Sequence, residues 1–237
     1  MTTEIQAAAE APQSSPAISR SLFAFAIFYG GMVCIAGVLG NKQVALGPLS
    51  AVGPMLGLGP LAVEAGIFAF LMLVVTSSSV AELHGRDTAN KLVLIGFVPL
   101  VFSLLLSIAV LALPPAHDMD PARLSAFETI MGGTPRIWLG GILAYGISTF
   151  LNVTIFSRLK ASEGARLLWL RSAVASALSQ IIDTLIFISV SFYGVFPIAE
   201  LMVGQMAAKV VLSIILVPPL IYVFVAVGKR LDTPATA

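Results

Sequence analysis

Charge is scarce in this chain. Charged side chains make up 11% of its 237 residues, against roughly 25% in an average soluble domain. Hydrophobic residues reach 58% and the mean hydropathy is +0.99. A globule of this size keeps much of its surface exposed, so it could not hide that much apolar area from water. The surrounding solvent is therefore lipid, and a soluble enzyme is excluded. Cysteine is nearly absent: a single Cys34 forms no internal disulfide and no metal cluster. Neither sign of charge is in excess, with 13 Lys plus Arg against 12 Asp plus Glu, so nothing points to nucleic acid. No Gly-rich phosphate loop precedes a helix, which leaves the chain without an ATPase of its own.

What is present is long apolar runs. A spanning helix needs about 20 largely apolar residues, and six windows qualify, at 21–40, 58–79, 91–113, 134–156, 168–193 and 197–227. Backbone groups in hydrocarbon must pair internally, and these runs are too long for barrel strands. The expectation is an all-α polytopic membrane protein of six transmembrane helices. Residues 20–231 form the helical domain, between disordered tails at 1–19 and 232–237. The first tail lacks a basic n-region, and the run after it exceeds a signal-peptide core.

Lys and Arg in the loops set orientation. One side collects Arg20, Arg86, Lys91, Arg158, Lys160, Arg166, Arg171, Lys229 and Arg230; the other collects Lys42, Arg123 and Arg136. The richer side is expected to be cytoplasmic, with both termini on it. The longest loop, 114–136, then faces outward. Its His117, Asp118 and Asp120 read as a solvated loop rather than a metal site, because no second His and no helical spacing supports ligation.

A charge at the bilayer centre costs about 2.5–3.5 kcal/mol on insertion scales and marks a function or a partner. Glu64, Glu82, Asp183 and Lys209 fall in or beside the windows, while Glu200 sits at a wet outer end. Asp183 closes a stripe with Ser172, Ser176 and Ser179, spaced to share one helical face. The opposite face carries Leu178, Ile182 and Ile186, suited to lipid or packing. Gln205 and Lys209 share a face of the sixth helix. Lys209 reads as a counter-ion for Asp183, a donor to a ligand, or both. Tyr145, Ser148 and Asn152 make a second polar stripe, continued by Phe156. Asn41 ends the first helix on the outer side, and Glu82 ends the second on the inner side. No catalytic arrangement emerges, since His84 and His117 fall on opposite membrane faces. Several part-polar helices around a common interior suit a solute cavity.

With these segments in place, the chain resembles the queuosine precursor transporter family, also described as vitamin uptake transporter-like, over roughly residues 35–231. The resemblance is carried by Tyr145-Gly146-Ile147-Ser148-Thr149-Phe150-Leu151-Asn152-Val153 with Phe156, and by Ser176 through Asp183-Thr184 with Phe187. Two further stretches carry it: Gly66 to Glu82-Leu83-His84-Gly85, and Lys209 to Leu216 followed by Pro218. There are departures. The family's second-helix Asp falls on Ser78, its Tyr on His84, and the Pro after Phe70 on Leu71. Position 152, which can be Asp in relatives, is Asn, and a frequent Ser is Ala175.

The resemblance implies a transporter rather than an enzyme, importing 7-deazaguanine precursors of queuosine across the inner membrane. No cofactor, metal or nucleic-acid partner is implied. A guanine-like edge presents an N–H beside an exocyclic amine, and one carboxylate can accept both; charge-assisted bonds of this kind are strong. Asp183 is expected to be that acceptor, with Asn152, Gln180, Ser179 or Lys209 on the carbonyl side and Phe187 or Tyr145 stacking on the ring. Ser148, Asn41 and Glu82 complete the expected substrate-binding set. The protein is expected to work as a facilitator or secondary carrier, and so small a bundle suits a homodimer. Two alternatives stand beside this: a substrate-binding subunit that borrows external ATPases, and an interfacial lipid-acting enzyme using Glu82, His84 and Asp87.

Overall fold

Apolar runs in hydrocarbon become helices because only internal i→i−4 bonds satisfy their backbones. The computed structural model describes residues 18–55, 57, 59–132, 135–163, 168–194 and 198–233, so most of both expected tails lies outside the described residues. The elements run α1 (Arg20–Leu39), β1 (Gln43–Ala45), a 3-10 turn (Gly47–Ala51), α2 (Val52–Met55), β2 (Ala62–Glu64) and α3 (Gly66–His84). They continue with α4 (Arg86–Leu111), α5 (Pro121–Met131), α6 (Pro135–Glu163), α7 (Leu168–Phe192) and α8 (Ile198–Asp232). Among the described residues, six helices are long and apolar enough to cross a membrane: α1, α3, α4, α6, α7 and α8. The chain is a multi-pass helical membrane protein.

Three features depart from the sequence reading. The second window was expected to begin at 58, but α3 begins at Gly66. Pro60 lacks an N–H and Gly57 adopts a φ of 74°, so the chain leaves helical geometry there. It pairs instead as β2, antiparallel to β1 with Val44 opposite Val63. The third helix starts earlier than its apolar window, because Gly85 at φ 86° makes the turn and the polar Arg86–Lys91 stretch forms the first turns. The loop at 114–136 contains α5, whose N-cap Asp120 accepts from Ala122 N at 3.0 Å with Pro121 at the first helical position, both favoured there.

The bundle is apolar outside and polar within. On α4, Leu94, Ile95, Val98, Phe102, Leu105 and Leu106 are exposed, whereas Thr76, Ser77, Ser78 and Ser79 on α3 are buried. Lipid tails are as apolar as Leu, so helix association draws on close packing and polar contacts. α3 is the central element, against α1, α4, α6 and α8, while α7 packs between α6 and α8. At the end bearing the termini, Ser21 Oγ donates to Asp232 Oδ2 at 2.6 Å and lies 2.7 Å from His84 Nε2, joining α1, α3 and α8.

Deeper in, Tyr145 Oη donates to Tyr29 Oη at 2.6 Å, and Gly96 makes room for the pair. A Cβ at Gly96 would stand 2.6 Å from the Tyr29 ring and 3.0 Å from Tyr145 Oη. Gly96→Ala is therefore expected to destabilise the bundle by about 1–3 kcal/mol, the usual effect of overpacking, read as a lower thermal midpoint in detergent. Gly31→Ala, where an added Cβ meets nothing within 4 Å, is the control and should leave the midpoint unchanged or raise it. Equal midpoints for the two variants would refute the close fit around Gly96.

Candidate functional site

Several buried hydroxyls here close on their own helix and need no partner from another. Thr76 donates to Met72 O at 2.7 Å, Ser172 to Leu168 O at 2.6 Å, and Ser179 to Ser176 O at 2.9 Å. Ser and Thr can close on their own helix in this way. Carboxylates, ammonium groups and amides cannot, and these are the groups that mark the site.

Asp183 and Lys209 come together as the sequence suggested. The Lys209 ammonium lies 3.5 Å from Asp183 Oδ2, and Ser148 Oγ donates to Asp183 Oδ1 at 3.2 Å. Both charged residues are more than nine-tenths buried. Lys209 Nζ also stands 5.7 Å from the centre of the Phe187 ring. The pair lies on the wall of a cavity of about 350 Å³, within the range of small-molecule pockets. The end of α1 contributes Gly37, Gly40 and Asn41; α3 contributes Gly66, Ile67 and Phe70; α6 contributes Gly141 and Tyr145. Gln180, Asp183 and Phe187 come from α7, and Lys209 from α8. Exposed Asn41 and Ile130 line it too, so it reaches the end of the bundle opposite the termini. Its two charges cancel.

Gln180 is fully buried on this wall, and neither its Nε2 nor its Oε1 has a hydrogen-bond partner among the described residues. An unsatisfied buried amide is costly, and an amide offering one donor and one acceptor group to a cavity is equipped for a ligand. Asn41 spends its Nδ2 on Gly37 O and Val38 O at 3.1 and 3.3 Å.

Of the ten expected site residues, Asn41, Tyr145, Gln180, Asp183, Phe187 and Lys209 line the cavity. Ser148 stands behind it, holding Asp183. Ser179 is closed on its own helix. Asn152 donates through Nδ2 to Ser78 Oγ at 3.0 Å, away from the cavity lining. Glu82 is not brought to the cavity at all: at the other end of the bundle its Oε2 meets Lys160 Nζ at 3.3 Å and Arg171 Nη2 at 3.4 Å. The side chains of Glu64 and Glu200 lie outside the described residues.

Two residues were missed. Arg171, grouped with the loop charges by sequence, is fully buried, its guanidinium 5.2 Å from the centre of the Phe156 ring. Its place inside the fifth apolar window was the available signal. Tyr29 gave none, since an isolated Tyr in an apolar run looks like packing.

Breaking the Asp183–Lys209 pair from one side leaves a charge uncompensated. Lys209→Met and Asp183→Asn alone are each expected to destabilise the protein, by less than the about 3–5 kcal/mol of a fully enclosed pair because both groups face the cavity. The double variant should recover part of the loss, as coupled neighbours do. Chemical unfolding in detergent measures this, and strictly additive losses would contradict the pairing.

Comparison with known proteins bears on the same helices. No solved structure matches the chain. A "Probable queuosine precursor transporter" of Bacillus subtilis (strain 168) is 38% identical over 117 residues, 49% of this chain and 50% of that protein. The matched segment thus spans about half the length of this curated relative. The model of a family described as "Putative vitamin uptake transporter" matches residues 64–224, from β2 to within α8, including Asp183, Gln180 and Lys209. With more than half of the chain matched, and with the helices that carry the charged cavity wall inside the match, the protein belongs to this vitamin uptake transporter family.

Proposed function

We propose that this protein imports queuosine precursors, 7-deazaguanine bases, across the inner membrane, with both termini in the cytoplasm. The observation that carries the reading is the cavity wall of Asp183, Gln180 and Lys209: an acceptor for paired N–H donors, an unpartnered amide and a compensating cation. The relative's name supplies the solute class. The carboxylate of Asp183 accepts from the ring N–H and exocyclic amine, and Gln180 Nε2 donates to the carbonyl oxygen. Phe187 and Tyr145 offer aromatic faces to the ring. Ser148 orients Asp183 from behind. The orientation follows from the basic residues near the terminal end, among them Arg20, Arg86, Lys160, Lys229 and Arg230.

The interfacial-enzyme alternative fits less well. His84 is engaged with Ser21 and Asp232, and Glu82 with Lys160 and Arg171. These groups fasten helix ends.

The test uses cells that cannot synthesise the precursor. Expressing the protein and supplying 7-cyano-7-deazaguanine at low concentration should raise queuosine in tRNA. No rise despite confirmed membrane insertion would overturn the substrate assignment. Asp183→Asn should lower uptake with insertion unchanged. An analogue without the exocyclic amine should compete about 10–100-fold more weakly, as loss of a charge-assisted bond worth about 1.5–3 kcal/mol predicts.

The cancelled charge of the cavity adds a second expectation. A neutral cyano base should be preferred over the cationic aminomethyl base, because the latter would bring a net positive charge into a low-dielectric site. Lys209→Met should shift that preference toward the aminomethyl base, by about tenfold for about 1.4 kcal/mol of removed repulsion. Competition uptake with both bases measures the ratio, and an unchanged ratio removes Lys209 from the selection of charge.

A further inference from the structure

Between the cavity and the end that bears the termini, polar side chains cross from α6 to its neighbours in successive layers. On α6, Ser148, Asn152, Phe156 and Lys160 recur every fourth residue and share a face. Ser148 reaches Asp183 on α7. One turn on, Asn152 reaches Ser78 on α3. A further turn on, Phe156 meets Arg171 on α7, and Lys160 meets Glu82 on α3. On α7, Gln180, Ser176 and Arg171 descend through the same levels.

Above Lys160 this interior is buried and chemically unfinished. Ser79 Oγ, Asn152 Oδ1, Ser176 Oγ, both amide atoms of Gln180, and Nε and Nη1 of Arg171 have no hydrogen-bond partner among the described residues. Each such group costs about 1–3 kcal/mol when left unmet, and a charged one costs more. Hydroxyls nearby avoid the cost by closing on their own helix, as Thr76, Ser172 and Ser179 do. Buried polar groups in folded proteins are overwhelmingly paired. Unmet atoms occur elsewhere too, at Asn90, Thr149, Ser157, Ser191 and Gln205. The set around Asn152, Ser176 and Arg171 is set apart by including a cation and by lying between the cavity wall and the Glu82 cluster.

Below this face the bundle is closed by charge. Glu82 on α3 takes Arg171 from α7 and Lys160 from α6, and Lys160 Nζ also donates to the Glu82 carbonyl at 2.7 Å. At the same end α1, α3 and α8 are already fastened to one another through Ser21, His84 and Asp232. The Glu82 cluster is the ion-paired tie from α3 to α6 and α7 at this end, beside a hydrogen bond from Arg86 on α4 to Thr154 on α6.

We propose that the buried interior between Gln180, on the cavity wall, and Arg171, lined by Asn152 and Ser176, is a second solute site, the inner half of the route through the protein, and that Glu82, Arg171 and Lys160 are its gate. The proposal rests on the transport reading of the cavity. The inner site takes the same class of solute, a neutral planar molecule with hydrogen-bonding edges, and Arg171 supplies free N–H donors to an acceptor edge. In the present conformation the cavity reaches the end opposite the termini and the inner site is shut. Parting α3 from α6 and α7 would break the Glu82 cluster and bring the inner face to solvent at the terminal end.

The single native cysteine makes the test direct. In a Cys34→Ser background, Ser176→Cys reports the inner face and Ala144→Cys, buried beside the cavity, reports the outer one. A membrane-impermeant methanethiosulfonate is applied to sealed vesicles of each orientation. From the terminal side, Ser176→Cys should react slowly until Glu82→Gln or Lys160→Met is added. It should then react about tenfold faster, the shift produced by removing about 1.4 kcal/mol from the closed state. Labelling of Ala144→Cys from the opposite side should fall in parallel. Lys160, whose side chain is 38% exposed, is the milder lesion should Glu82→Gln fail to fold. Unchanged Ser176→Cys reactivity in the folded gate variants would overturn the proposal. So would a rise unaccompanied by a fall at Ala144→Cys, which signals loosening of the whole bundle. Labelling needs no substrate, so failure to take up queuosine precursors and failure to gate are separate results.

Discussion

Hydrocarbon on the outside of the bundle is the constraint from which the rest follows. It leaves exposed positions to side chains such as Phe102 and Leu106 and obliges polar groups to find partners within. Several hydroxyl groups, such as Thr76, Ser172 and Ser179, meet that demand cheaply on their own helices. Asp183, Lys209, Glu82 and Arg171 cannot, so each is driven onto a charge of opposite sign on another helix. The two ion-paired clusters that result lie at different depths, one on the cavity wall and one near the terminal end. They tie different helix pairs, α7 to α8 and α3 to α6 and α7.

This arrangement gives a physical reading to two departures from the resembled family. By the resemblance read from the sequence, the family's second-helix carboxylate is expected at Ser78 and an Asp of some relatives at Asn152. Here the two neutral side chains bond to each other at 3.0 Å. A lone carboxylate at either place would stand buried without a cation in hydrogen-bond contact, whereas Ser with Asn satisfies one donor without any charge. Seen on the structure, the two changes belong to a single interaction, and the cavity charge rests on Asp183 and Lys209.

Much of this was legible from residue order. The six spans, the outward Leu178 and the shared polar face of Ser172, Ser176, Ser179 and Asp183 follow from hydropathy and helical spacing, which also mark Asp183 and Lys209 as charges in need of a partner. The start of α3 did not, because an apolar window cannot separate the residues of β2 from those of a helix until Gly57, Pro60 and the pairing with β1 are weighed together. α5 has no such signal in the sequence, since none of its side chains is buried and no apolar stripe marks it. Arg171 reads as a loop charge because it lies near a helix start, where Arg is ordinarily wet; its contacts with Glu82 and Phe156 place it inside. Glu82 was expected to bind solute because polarity shows that a group needs a partner without showing which.

Hydropathy is a property of a segment, so the sequence by itself determined the solvent, the spanning helices and the side chains too costly to leave unpaired in lipid. Partnership is a property of helices packed side by side. Ser148 and Asp183 lie 35 positions apart in the chain, Asn152 and Ser78 lie 74 apart, and Arg171 and Glu82 lie 89 apart. No local pattern encodes which of them meet. Tertiary structure alone decided that Asp183, Gln180 and Lys209 share one cavity wall while Glu82 closes the opposite end, because those assignments depend on which helix faces interlock.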